Sequence, residues 1–399
     1  MSISRTIALS GIIIIIMMAT SASAQRKQIG EARTYLKSGK NYDKAEQLMT
    51  DLLKDTANQQ NKRIYEMWLQ AVGKQYEQAN EKFYMKKQQD TAQFFSLVRR
   101  MFTIAFRLDS LDMRPDKKGR VEPELRNDVA RQIMTVRPNL FFGGSYFVRK
   151  QQMKQAFDYF ETYIDCHRQP IFTGYDLSAA ADPRMAEAAY WACYSAYVDG
   201  DPVRTLRYRD LALSNTNKRE RTLQYIADSW LQLKDEAMYV ETLEKGFAEF
   251  PKASYFFPRL MDHYTQHRQS DEALRVVDYA LAADSLSELF LYAKSNVLIE
   301  QDRYAESLTY TDRLIALNDS AADAYYNGGT AYLNIALRMD SQRHKKQIRK
   351  MYQKAQPYME KYRALAPSEK QKWGPALYRI YFNLNLGKQF DEIDKILKK

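Results

Sequence analysis

The chain has 399 residues, 45% hydrophobic and 27% charged, with only 14 glycines and 11 prolines, which excludes a polypeptide too poor in apolar residues to build a core. A formal charge of +11 favours anionic partners such as a membrane surface, an acidic protein or an anionic glycan. Only two cysteines are present, so at most one internal disulfide is available.

Residues 1–24 read as an export signal. Arg5 supplies a positive start, residues 7–18 are apolar apart from Ser10 and Gly11, and Ala22-Ser23-Ala24 offers a small-x-small cleavage site that leaves Gln25 first. The run is short for a bilayer span, a retained anchor being the alternative. No cysteine adjoins the cleavage site, which argues against a lipid-anchored form. The expectation is an exported protein, in the simplest case periplasmic, for which nucleic acid is the least suitable anionic partner. No later stretch is apolar and long enough to cross a membrane.

Residues 25–112 form an N-terminal region. Tyr42, Ala45, Met49, Leu52 and Leu53 recur at helical spacing, and two long helices follow over about 61–88 and 91–108. Pro115 and Gly119 mark 114–120 as a loop, in which Lys117 and Lys118 read as solvated. Within 113–184 a helix is expected over about 124–134. Gly143, Gly144 and Phe147, followed by Met153, Ala156, Phe160, Tyr163 and Ile164, then give a helical hairpin, and residues 170–183 are an inserted loop or short helix.

Residues 185–337 carry the strongest pattern. Thr205, Tyr239, Ala273 and Ser307 stand 34 residues apart in succession, as do the pairs Ala212-Leu213, Gly246-Phe247, Ala280-Leu281 and Leu314-Ile315. Short polar links at 199–202, 234–235, 268–270 and 301–303 join the helices. A hairpin of this length cannot bury its apolar face alone, so successive hairpins have to stack. Residues 338–399 continue with Ala355, Met359, Tyr362 and Pro367 after a basic insertion. There Lys345, Lys346, Arg349, Lys350 and Lys354 make a positive stripe on one helix.

The stretch Tyr325 to Tyr332, with Gly329 between two tyrosines, resembles the tetratricopeptide repeat family. So do Tyr304, Ser307, Leu314 and Ile315, and Ala273, Val277, Ala280 and Leu281 one unit earlier, with Pro251 at the helix-ending position. The resemblance implies an all-α, right-handed α-solenoid of stacked helix-turn-helix hairpins. Arg209 and Tyr239 depart from the family pattern, so their units are expected to be looser or differently tilted. The family's concave face is built largely from first helices. Carrying that register over places Tyr190, Tyr194, Tyr197, Gln224, Asp228, Tyr255, Asp262, Tyr292, Asn296 and Tyr326 on or near a tyrosine-rich groove, with several tyrosines packing between hairpins instead. One subclass clamps carboxylate tails with lysine and asparagine. Asn296 and Asn327 fall near the asparagine positions, but Tyr292 stands where a lysine is needed.

Little catalytic chemistry is visible. His263 and His267 have the i, i+4 spacing of a metal-binding pair but lack the intervening glutamate of a zinc protease, and only Asp262, Asp271 and Glu272 lie nearby in sequence. Gly143-Gly144 and Gly328-Gly329 precede no lysine-serine pair and read as packing positions, not phosphate loops. Cys166 and Cys193 lie near a junction of hairpins, which allows a disulfide, or else they are two small buried residues. No catalytic residue, metal or cofactor is assigned. The expectation is a non-catalytic scaffold or adaptor of the bacterial cell envelope that takes a peptide or helix in the groove, the basic stripe adding an anionic contact. An envelope glycan-binding or glycan-processing protein is the alternative, with Asp228 and Asp262 as the acids to test for turnover.

Overall fold

The computed structural model describes residues 25–398, and the expected leader lies outside them. Among the described residues all regular structure is helical, with no strand. No helix among them is long and apolar enough to cross a membrane. The chain divides into two compact units, one ending at Lys234 and one beginning at Asp235, a division inside the stretch that the 34-residue spacing treats as one array.

In the first unit α1 (25–38) is followed by α2 (Tyr42–Leu52), α3 (Lys62–Tyr84), α4 (Thr91–Asp112), α5 (Arg126–Val136), α6 (Pro138–Arg149) and α7 (Met153–Asp165). Then come α8 (Met185–Asp199), the short α9 (Pro202–Leu206) and α10 (Arg209–Leu213), and α11 (Arg219–Gln232). Helix α4 runs one turn beyond its expected end because partners distant in sequence reward the extra residues. Buried Asp109 accepts from the Arg126 guanidinium at 2.6 and 2.8 Å, and buried Asp112 accepts from Lys62 Nζ at 2.9 Å and from the Leu125 amide at 2.7 Å. The loosening expected around Arg209 takes the form of a break between α9 and α10. Tyr208 is 5% exposed there, while Arg207 pairs with Glu161 at 2.8 Å and the Arg209 guanidinium sits 5.4 Å over Trp230.

The second unit holds α12 (Glu236–Glu249), α13 (Phe256–Gln266), α14 (Ser270–Ala283), α15 (Glu288–Glu300), α16 (Tyr304–Leu317), α17 (Ala322–Arg338), α18 (Lys345–Leu365), α19 (Lys370–Leu384) and α20 (Gly387–Leu397). The basic insertion is not a separate element. It forms the first turns of α18, whose later residues Ala355, Met359 and Tyr362 are buried as the second helix of a hairpin.

The 34-residue comb is the packed interior. Thr205, Ala273 and Ser307 are at most 1% exposed and Tyr239 is 8% exposed. The period also appears in the backbone. Gly200, Lys234, Arg268 and Asp302 all have left-handed φ between 55° and 77°, and each ends the first helix of its hairpin. The amide that follows reaches back five residues, Gln269 to the Tyr264 carbonyl and Arg303 to the Leu298 carbonyl, both at 2.8 Å. This is the Schellman closure, which satisfies end carbonyls before the next helix starts. Small residues admit neighbouring rings as expected: a methyl group built on Gly144 would lie 2.6 Å from the buried Phe160 ring.

Candidate binding surfaces

Tyrosines of α8 and α11 meet in the first unit. Tyr197 stacks on Tyr225 with ring centroids 4.5 Å apart, Tyr194 lies 6.0 Å from Tyr225, and Trp191 meets Tyr194 edge to face at 5.6 Å. These four side chains are half-buried, whereas Tyr190, 3% exposed, lies in the core and supports the patch instead of lining it. The Tyr197 hydroxyl donates to Asp228 at 2.8 Å, and Gln224 donates to Glu220 at 3.1 Å. Burial raises the Tyr225 phenol pKa, with neighbouring Tyr190 adding to the effect, so this phenol stays uncharged at neutral pH. Tyr225 belongs to this surface but stood outside the expected set. One signal for it was its place on α11 one residue after Gln224.

The expected residues of the second unit do not gather into one aromatic patch. Tyr255 lies beside Phe256 with the Arg259 guanidinium 3.7 Å over its ring, and Asp262 is exposed on α13. Tyr326 packs on buried Tyr362 at 5.1 Å. Tyr292 and Asn296 are half-buried on α15. Asn327 is 4% exposed and donates to Ser295 at 2.7 Å and to Asn296 at 2.6 Å, so both asparagines of the clamp resemblance are engaged inside the unit. Beside them Lys294, 5% exposed, pairs with Asp278, a buried cation that the spacing gave no reason to expect.

Lys345, Lys346, Arg349, Lys350 and Lys354 are all exposed on α18. No ion pair among the described residues involves them, and Lys354 lies 5.4 Å over the Tyr332 ring. A further basic surface lies in the first unit. Arg33, Lys37, Arg63 and Lys74 line a groove of about 580 Å³ between α1 and α3, with Glu66 and Glu77 among them.

Cys166 and Cys193 are both free and buried, which decides between the two sequence readings in favour of small core residues. Burial pushes each thiol up to about 12, so neither is a ready nucleophile at neutral pH. The histidine pair gains a third neighbour from outside the nearby sequence: Glu236 at the start of α12 faces both rings. Burial, then the charge of His267, lowers the pKa of His263.

No protein-family model matches the sequence, and no curated protein matches it. Solved structures do resemble the chain. The C-terminal part of a TPR repeat-containing protein from Cytophaga hutchinsonii covers 64% of this chain and 93% of its own, at 10% identity and a TM-score of 0.42. Pseudomonas aeruginosa pilF covers 61% and 95% at 14% identity and 0.32. Yeast Tom70 covers 94% and 91% at 10% identity and 0.34. Likenesses this distant are of helical architecture alone. The internal geometry carries the assignment: helix pairs 34 residues apart, left-handed closures in the same register, and small residues facing rings. On that ground each unit is an all-α array of stacked helical hairpins, the fold that the tetratricopeptide resemblance implies.

Proposed function

We propose that the protein is a non-catalytic interaction scaffold or adaptor of the bacterial cell envelope, exported by residues 1–24, that holds a peptide or helix against the tyrosine patch of α8 and α11. The observation that carries this reading is the half-buried group Trp191, Tyr194, Tyr197 and Tyr225. Such rings offer a large, rigid contact area with polar tips, the composition of binding hot spots. Carboxylates of Glu187, Glu220 and Asp228 border them and suit the amides and cations of a peptide. The exposed cations of α18 supply a second, anion-seeking contact.

The test is cross-linking in intact cells, with partners identified by mass spectrometry, beside the double variant Tyr194→Ala, Tyr197→Ala. Buried Tyr190 is kept, so the helices stay intact. A recurrent protein partner lost only in the variant supports the proposal. Saturable binding to cell-wall glycan, with no protein partner, would replace it. Export is checked separately: the mature protein should begin at Gln25.

A further inference from the structure

The strongest unused cluster is in the second unit, where the start of α12 lies beside the end of α13. Glu236 Oε1 is 2.9 Å from His267 Nε2 and 3.4 Å from His263 Nδ1, and one ligand atom from each side chain falls within 4.8 Å of the others. The two imidazoles lie 4.3 Å apart, centroid to centroid. A tetrahedral ion with bonds of about 2.0 Å needs donors roughly 3.3 Å apart, close to this spacing.

The hydrogen bonding of His267 strengthens the case. Its Nδ1 lies 2.8 Å from the carbonyl oxygen of His263, while its Nε2 faces the Glu236 carboxylate. A neutral imidazole has only one N–H to donate. With an acceptor at each nitrogen, a cation has to lie between Nε2 and the carboxylate, either a proton or a metal ion. Anchoring Nδ1–H on a backbone carbonyl is also how proteins orient a ligating histidine and fix its tautomer.

We propose that Glu236, His263 and His267 form a binding site for one divalent transition-metal ion of the zinc class. Two imidazole nitrogens and one carboxylate oxygen make a donor set that suits zinc and disfavours magnesium or calcium, which prefer all-oxygen shells. The side chains of Glu236 and His267 are 59% and 45% exposed, which leaves a fourth position open to water. Bound there, the ion ties the first turn of α12 to the last turn of α13. The site is independent of the tyrosine patch.

Isothermal titration of tag-free, metal-stripped protein with zinc sulfate tests the proposal, with magnesium chloride as the contrasting arm. One equivalent of zinc should bind saturably and magnesium should not. His263→Ala and His267→Ala should each weaken zinc affinity by at least about tenfold. His267 is exposed, so its variant keeps the fold, and zinc should raise the melting temperature of the wild type but not of His267→Ala. Absence of saturable zinc binding, or unchanged affinity in His267→Ala, would overturn the site and leave a proton-shared ion pair.

Discussion

Arg137 with Asp182 in the first unit and Lys294 with Asp278 in the second are both ion pairs with a buried cation, yet they differ in what water reaches. The Arg137 and Asp182 side chains are 7% and 10% exposed, whereas the Lys294 side chain is 6% exposed and that of its partner Asp278 is 55% exposed. Arg137 donates to Asp182 at 2.7 Å and to the Tyr163 carbonyl at 3.1 Å, with its guanidinium 3.8 Å over the Tyr163 ring. The Tyr163 hydroxyl donates to the same carboxylate at 2.8 Å. This network pins the 170–183 insertion to α6 and α7. The lesson is about the partner left behind: in the first unit the carboxylate facing the buried cation is itself enclosed, while in the second it stands in water. Matched substitutions can break that contrast.

The largest effect is expected from Arg137→Met, which strands the Asp182 carboxylate away from water and costs about 3–5 kcal/mol. Hydrogen exchange followed by peptide should place the loss in the first unit. The penalty depends on pH in a defined direction. Burial raises the Asp182 carboxyl pKa, but the Tyr163 hydroxyl and then the Arg137 side chain outweigh it and hold the group below its usual value. A depressed carboxyl contributes stability that is complete above the unfolded pKa of about 3.9 and is lost as pH falls through the folded value. The gap between wild type and variant should therefore be full at pH 7 and close below about pH 4. A gap that persists at low pH would assign the loss to packing alone.

Gly144→Ala is expected to cost about 1–3 kcal/mol, because the added methyl meets the fully buried Phe160 ring and overpacking outweighs the gain in helix propensity. Gly328→Ala in the second unit should cost less. It meets the half-buried Tyr358 ring, which can swing outward at the expense of its 2.6 Å hydrogen bond to Asp312. Denaturant midpoints of the two variants rank them, and an equal or reversed order would remove this difference between the units.

These glycines also show what the sequence made legible. Positions where bulk is forbidden, and combs such as Thr205 to Ser307, follow from packing that repeats with the chain, so spacing alone exposes them. Features built from non-repeating contacts left no such trace. Glu236 reaches His263 from an earlier helix, Tyr225 joins tyrosines of another hairpin, and Arg137 meets a loop 45 residues away. The cysteines show the same boundary: sequence allowed a disulfide, and only the fold shows both thiols free.

The left-handed closures were invisible for a different reason. Lys234, Arg268 and Asp302 occupy a conformation that favours glycine, so residue type gave no signal at three of the four positions. The first helix at Gly200 already carries the favourable residue. Arg268→Gly should accordingly stabilise the second unit by about 0.5–1 kcal/mol, the relief of left-handed strain exceeding the added freedom of the unfolded chain. Thermal melting reads the sign, and a lower melting temperature would show that the Arg268 side chain contributes more than its backbone costs.

The smallest change is expected from Lys294→Met, and it returns to the opening contrast. The substitution removes a buried ammonium, fills its space with a chain of similar length, and leaves Asp278 with ready access to water. No buried charge is stranded, so stability should stay within about 1 kcal/mol of wild type. The same cation-to-methionine change at Arg137 leaves its carboxylate enclosed and should be several-fold more damaging. If the two variants lose equal stability in urea, solvent access to the abandoned partner is not what separates the units, and the packing of the cation's own stem has to be.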